Sequence, residues 1–431
     1  MLDMSTTTLN SSAGFNATPL RQDATVIGLV GLAHGISHFS QLLLAPLFPW
    51  LKEAFNASYT ELGLLMTVFF ATSCAVQTAA GFVVDKFGPR PVLFAGLALV
   101  GAAGLGFSIS TSYGMLAFFS VVAGLGNGVF HPVDYTLLYR KISAPRLGHA
   151  YSVHGITGSL GWALAPAMLV PLAFAYSWRV ALACAGGLAF AVLLVLWVNR
   201  GKLSLAALPA LPKRAQEAGA GNASNRVEEN GEGNLDFLRI PAVWMCFGFF
   251  FLYAMALSVV QAFAPEAARQ LHGMPGGLVA TCLTVYMVSA ATGMVGGGFL
   301  ASNPARCERI VGTGFGLAAC VALTLAFAPV PGLMVPVLFG LMGLVTGMAG
   351  PSRDMLVKRS TPENSTGRVY GVVYSGLDIG QAIAPLIFGT LMDHGSFQNV
   401  LLGLALVQGV LIVSAFNVRK VRRTPLVAAA A

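Results

Sequence analysis

The sequence predicts an all-α membrane protein in which twelve transmembrane helices form two pseudo-symmetric six-helix bundles. Three observations predict it. Of 431 residues, 56% are hydrophobic and only 10% charged, whereas soluble domains carry roughly 25% charged residues. Apolar runs of about 20 residues, the length that crosses a hydrocarbon core, recur along the whole chain. The second half also repeats the first at one fixed offset. This composition excludes a disordered chain, a nucleic-acid-binding domain and an ordinary cytosolic enzyme, because too few polar residues remain to cover soluble domains.

The apolar runs lie near 25–50, 59–84, 91–111, 114–139, 147–173, 179–199, 240–268, 276–301, 309–329, 332–356, 367–391 and 398–418. They divide the chain into an N-terminal tail (1–24), a first bundle (25–200), a linker (201–239), a second bundle (240–418) and a C-terminal tail (419–431). The linker is rich in Ala, Gly, Asn and Glu and reads as flexible. No apolar stretch ending in a cleavage site precedes the first run, so no removable signal peptide is expected. The six cysteines form no CxxC pair and mostly fall inside apolar runs, as packing residues do.

Orientation follows from charge. With the N-terminus inside, all of the 25 Lys and Arg residues except Lys52, Arg179 and Arg269 fall on the cytoplasmic side. Cytoplasmic loops retain positive charge, so both termini are expected in the cytoplasm of a bacterial-type inner membrane. The net charge of +8 therefore reflects topology and not a nucleic-acid-binding patch.

The repeat has an offset of 219 residues. It superposes Ala45-Pro46 on Ala264-Pro265, Gly124 and Gly128 on Gly343 and Gly347, and Pro132 and Arg140 on Pro351 and Arg359. Gly148, Tyr151, Gly161 and Pro166 fall on Gly367, Tyr370, Gly380 and Pro385. Small residues recur wherever helices pack closely, but prolines, an arginine and a tyrosine also keep this register. Parallel repeats joined by a long linker suit a transporter whose halves rock about a site near the midplane.

Between the second and third runs stands Gly81-Phe82-Val83-Val84-Asp85-Lys86-Phe87-Gly88-Pro89-Arg90. Gly81 permits close helix approach and Gly88 a tight turn. Asp85 suits the positive end of a helix from the other half, while Lys86 and Arg90 suit acidic groups or lipid phosphate. The segment resembles the G-x-x-x-D-R/K-x-G-x-R/K loop of the major facilitator superfamily, and the resemblance covers the whole chain. It implies the major facilitator fold and a cytoplasmic gate at Gly81, Asp85, Lys86, Gly88 and Arg90. The equivalent loop of the second half, Ser302 to Arg309, lacks an acidic residue at the position of Asp85. Ser120 stands about where many proton-coupled members carry a basic residue, and span five keeps only part of the antiporter signature. Phe130-His131-Pro132 is similar to the fosmidomycin-resistance-type branch, which includes drug exporters.

Ionisable groups are costly in hydrocarbon and face a cavity or a partner by default. The resemblance places the cavity between spans one, four, seven and ten, with five and eleven beside them. His34 and His38 share one face of span one, and Gln41 follows about one turn on. Span four carries Asn127, His131, Asp134 and Tyr135, with His131 ~13 Å inside the cytoplasmic end at 1.5 Å per residue. His154 lies at similar depth in span five. Spans seven and ten add Tyr253, Gln261, Thr346, Arg353 and Asp354, and span eleven adds Tyr374, Asp378 and Gln381. A buried histidine can serve only as a hydrogen-bonder between helices, and that reading stands for His154 beside a functional one. Asp134 can pair with Arg140, and Arg353 with Asp354. Asp378 has Ser159 as its repeat partner, so the shared scaffold does not demand its charge.

The sequence thus points to a secondary active transporter of a small organic anion or drug-like amphiphile, working by alternating access. Asp378 with one or more of His34, His38 and His131 would bind a coupling proton. Asn127, Tyr253, Tyr374 and Gln381 would orient the solute. No cofactor or resident metal is expected, and the expected state is a monomer in the bilayer. Copper-type metal uptake is the second reading, from His34/His38 and from Met342, Met348 and Met355. A transport-derived sensor is the third. HExxH, GxSxG and Walker motifs are absent, so an enzyme is not expected.

Overall fold

The computed structural model describes residues 19–205, 241–301, 306–360 and 366–422. Most of both tails and of the linker lies outside the described residues, as do the side chains of residues 354–374, Tyr374 among them. Among the described residues every regular element is helical. Eleven helices are long and apolar enough to cross a membrane, and Phe397–Val413 adds a shorter apolar one.

The first span comprises α1 (Leu20–Gln41) and α2 (Phe48–Phe55), followed by α3 (Tyr59–Phe87) and α4 (Pro89–Ile109). The fourth comprises α5 (Tyr113–Asn127) and α6 (Phe130–Lys141), and α7 (Leu147–Ala175) and α8 (Trp178–Val198) complete the first bundle. After the linker come α9 (Pro241–Ala262), α10 (Ala264–His272), α11 (Gly277–Leu300) and α12 (Cys307–Phe327). The last three helices are α13 (Val335–Ser360), α14 (Thr366–Asp393) and α15 (Phe397–Arg422).

Spans one, four and seven are each divided, where the hydropathy pattern alone suggested single runs. Proline is the physical reason. It lacks an N–H and its ring clashes with the carbonyl four residues earlier, so Pro46 and Pro265 sit where α1 and α9 have already ended. Pro132 likewise leaves the Gly128 carbonyl without its helical donor, and α5 gives way to α6 across Gly128 and Val129. Gly88 turns the chain between α3 and α4 at φ +80°, a left-handed conformation that costs glycine little.

Packing within each bundle relies on helix backbones in near contact. A Cβ on Gly124 would lie 2.5 Å from the Phe69 carbonyl oxygen, and one on its repeat partner Gly343 would lie 2.2 Å from that of Tyr286. Gly128 and Gly347 behave alike, at 2.5 Å from Ser73 O and 2.1 Å from Ala290 O. The 219-residue repeat is therefore a repeat of helix contacts as well as of letters.

The two bundles meet along α3 with α14 and along α7 with α11. The α3–α14 seam is close from Tyr59 and Asp393 to Gln77 and Asp378. Among the described residues, at the end that carries Lys86, Arg90 and Arg140, the Cβ position of Gly81 has no neighbour within 4 Å, and Phe82 is 81% exposed. The α7–α11 seam includes Ser159 Oγ donating to Met294 Sδ over 3.4 Å.

Candidate functional site

Close approach of α1 and α7 creates the main polar cluster. A Cβ on Gly161 would sit 2.2 Å from the Gly35 carbonyl oxygen, so the two helices touch there. One turn away, a Cβ on Gly158 would fall 2.8 Å from the His38 ring and 3.0 Å from His34 Nε2. Glycine at both positions is what lets histidines of α1 lie flat against α7. His34 and His154 stack with ring centroids 3.4 Å apart, and His38 lies 4.5 Å from His34. From α6, Asp134 Oδ2 reaches His34 Nδ1 at 3.0 Å and His154 Nε2 at 3.3 Å. His131 closes the group, with its ring centroid 5.3 Å from that of His34. Asp134 therefore pairs with histidines of two other helices and not with Arg140.

Towards the opposite end the polar chain continues. Ser37 Oγ donates to Asn127 Oδ1 at 2.8 Å, and Asn127 Nδ2 donates to Ser73 Oγ at 2.9 Å. Trp162 lies tilted against His38, with ring centroids 4.2 Å apart, and donates its indole N–H to Gln41 Oε1 at 2.9 Å. Trp162, Ser37 and Ser73 were not singled out by sequence reasoning. Trp162 had a usable signal, because it lies one helical turn past Gly158 on the face of span five that meets span one.

The second bundle holds the remaining groups. Arg353 lies over the rings of Tyr253 at 4.3 Å and Phe250 at 5.5 Å, a cation–π arrangement. Tyr253 and Arg353 are the repeat partners of His34 and Asp134, so the two halves place different chemistry at equivalent positions. Gln381 is buried with its amide 3.5 Å from Gln261 Oε1. Met342 is fully buried in an apolar core shared by both bundles that includes none of the histidines. Asp378 stands apart from the cluster. Half-buried in α14, it accepts from Gln77 Nε2 of α3 at 3.3 Å, across the seam between the bundles.

Among the described residues, no hydrogen bond or ion pair joins the superfamily-like loop to the second bundle. Gly81, Asp85 and Lys86 are exposed, and Arg90 donates to Ser204 Oγ at the start of the linker. The closed contact is at the other end, and sequence reasoning missed it. Asp393 accepts from Tyr59 N at 2.6 Å, Thr60 N at 2.8 Å and Thr60 Oγ1 at 2.6 Å. A carboxylate at the C-terminus of its own helix opposes that helix dipole. The free N–H groups of α3 offset this by donating to the carboxylate, which caps α3 from the other bundle.

Asp393 is exposed, so water screens the latch to a net ~1–2 kcal/mol, a population shift of about tenfold. Asp393→Ala is expected to move the molecule towards an arrangement open at this end. Pulsed-EPR distances between spin labels at Glu53 and Gln270 should lengthen in the variant. An unchanged distance distribution would refute the latch.

Twelve apolar helices in two repeated bundles, with polar groups gathered at their centre and along their seam, define a polytopic membrane protein of the transporter type. The family model of the Major Facilitator Superfamily matches residues 30–342 and 306–430, and the chain belongs to that superfamily. It is 26% identical over 164 residues to the fosmidomycin resistance protein of Escherichia coli (strain K12), covering 36% of this chain and 38% of that one. It is 30% identical over 154 residues to the MFS-type transporter YfnC of Bacillus subtilis (strain 168), covering 34% and 37%. The chain thus spans less than half the length of these two relatives. The multidrug efflux protein YfmO of Bacillus subtilis (strain 168) aligns over 400 residues at 24% identity, 90% of each chain. Among solved structures, a bacterial homologue of the human lysosomal transporter Spinster, in an inward-facing and occupied conformation, has a TM-score of 0.69. It is 14% identical, with 94% of this chain and 97% of that chain covered, a likeness of fold alone.

Proposed function

We propose that this chain is a proton-coupled secondary transporter that moves a small organic anion or drug-like amphiphile by alternating access. In this reading residues 25–200 and 240–418 move as two bodies joined by the 201–239 linker. The basic end faces the cytoplasm of a bacterial-type inner membrane. The observation that carries the reading is Asp378. Its carboxylate lies twelve residues into α14, ~18 Å along the helix, and bonds Gln77 across the seam. Rocking the bundles makes or breaks that contact, which couples the carboxylate's surroundings to the transport cycle. The coupling proton is accordingly assigned to Asp378 alone. The histidine cluster belongs to one bundle, so its internal contacts need not change when the bundles rock. In this reading Tyr253, beside Arg353, and Gln381, beside Gln261, orient the solute. The drug-related names of two relatives support the solute class.

The test is substrate-evoked proton movement. Purified protein is screened by thermal shift against organic acids and antibiotics, fosmidomycin included, and hits are added to proteoliposomes holding a pH-sensitive dye. Solute-dependent pH change, abolished by a protonophore, is expected. Solute flux with no accompanying pH change would refute coupling. A sensor is the second reading, favoured by 29% identity over 195 residues to the membrane sensor protein UhpC of Salmonella typhimurium. Ligand binding without any flux would favour it.

A further inference from the structure

The histidine cluster has a property that proton coupling does not use. His34, His131 and His154 each offer a ring nitrogen, and these atoms lie within 4.8 Å of one another. The Asp134 carboxylate stands among them, 3.0 Å from His34 Nδ1 and 3.3 Å from His154 Nε2. Asp134 is fully buried, and its second oxygen, Oδ1, has no hydrogen-bond partner among the described residues. Neither ring nitrogen of the adjacent His38 has one either. Buried polar atoms are almost always partnered, so three orphaned atoms around one group of donors mark a place built to hold something polar.

We propose that His34, His131, His154 and Asp134 form a binding site for one borderline transition-metal dication of the Zn(II) type. Three imidazoles and one carboxylate suit such an ion, whereas Cu(I) prefers sulfur donors. A tetrahedral site with bonds of ~2.0–2.1 Å has donors about 3.3 Å apart. The observed donors are within 4.8 Å, so the spacing has to contract by about 1.5 Å at most to reach that geometry. A dication also supplies the positive charge that a buried carboxylate requires. His38 and Trp162 pack behind His34 as a second layer. On the other side His131 is half-buried and Tyr135, 5.2 Å from the His154 ring, is 42% exposed.

The helices concerned, α1, α6 and α7, all precede the linker. Opening and closing of the seam therefore leaves the shell intact, and the ion is resident and not cargo. Its role is to tie three helices of one bundle together, and the site stands whether or not Asp378 carries a proton.

The test uses tag-free, full-length protein in detergent, stripped with a chelator and titrated with Co(II). One equivalent giving the visible absorption of four-coordinate Co(II), displaced by Zn(II), is expected. Asp134→Asn and His154→Ala should each weaken binding by more than the ~10–100-fold that loss of an outer-shell partner costs, while His149→Ala, at an exposed position, should not. His131→Gln guards against misfolding, because it alters the half-buried edge of the site. Zn(II) should raise the unfolding temperature of the unmodified protein but not of His131→Gln. Absence of saturable Co(II) absorption, or absorption unchanged in His131→Gln and His154→Ala, would overturn the site. Passage of Zn(II) into proteoliposomes at a rate matching turnover would overturn its residence.

Discussion

Asp378→Asn is expected to abolish solute accumulation driven by a pH gradient while leaving exchange of solute across the membrane intact. The substitution is close to isosteric, and an amide can still accept from Gln77 Nε2, now at 3.3 Å from the carboxylate. What it removes is the ability to gain and lose a proton. A single coupled proton sustains ~10-fold solute accumulation per pH unit, since about 1.4 kcal/mol corresponds to a factor of ten. The variant should accumulate nothing beyond equilibration. Counterflow, in which labelled solute exchanges against unlabelled, requires rocking but no net proton movement, and should persist. Together the two measurements separate a coupling role from a structural one. Accumulation at the unmodified level would remove Asp378 from the mechanism. Loss of both activities with normal thermal stability would make the carboxylate a solute-binding group instead.

The twelve spans were legible because a membrane crossing is a local property of about 20 residues. The repeat was legible because its glycines, prolines and arginine hold one register. Prolines 46, 132 and 265 carried the breaks in spans one, four and seven, but an apolar window averages across them. The site was half legible. Each of His34, His38, His131, Asp134 and His154 stands out as a polar residue in an apolar run. Their convergence, and the separation of Asp378 from them, depends on which helix faces touch, and contacts such as Gly35 with Gly161 set those. Gln77 and Asp393 escaped notice for a different reason. A glutamine in a span and an aspartate at a loop are unremarkable until the partner from the other bundle is known, and that partner lies 301 or more residues away.

Gly161→Val should prevent stable folding, and it should do so through the same contact that assembles the histidines. A Cβ at this position would meet the Gly35 carbonyl oxygen at 2.2 Å, its carbon at 3.0 Å and Phe39 N at 3.1 Å. All three are backbone atoms, so no side chain can turn aside and α1 must move off α7. Overpacking a tight contact costs ~1–3 kcal/mol where neighbouring side chains adjust, and rigid backbone raises that. Gly380, its repeat partner, faces Phe251 O at 2.4 Å, so Gly380→Val should be equally damaging. Gly187→Ala, with nothing within 4 Å, should be neutral or mildly stabilising, since alanine favours helix over glycine by ~1 kcal/mol. Monodispersity on size exclusion and unfolding temperature report these effects. The milder Gly161→Ala and Gly380→Ala then distinguish general packing from assembly of the cluster. Both should lower stability, but only Gly161→Ala displaces His34 and His38 from α7 and weakens Co(II) binding. Equal Co(II) affinity in the two variants would show that the histidines do not depend on the α1–α7 contact.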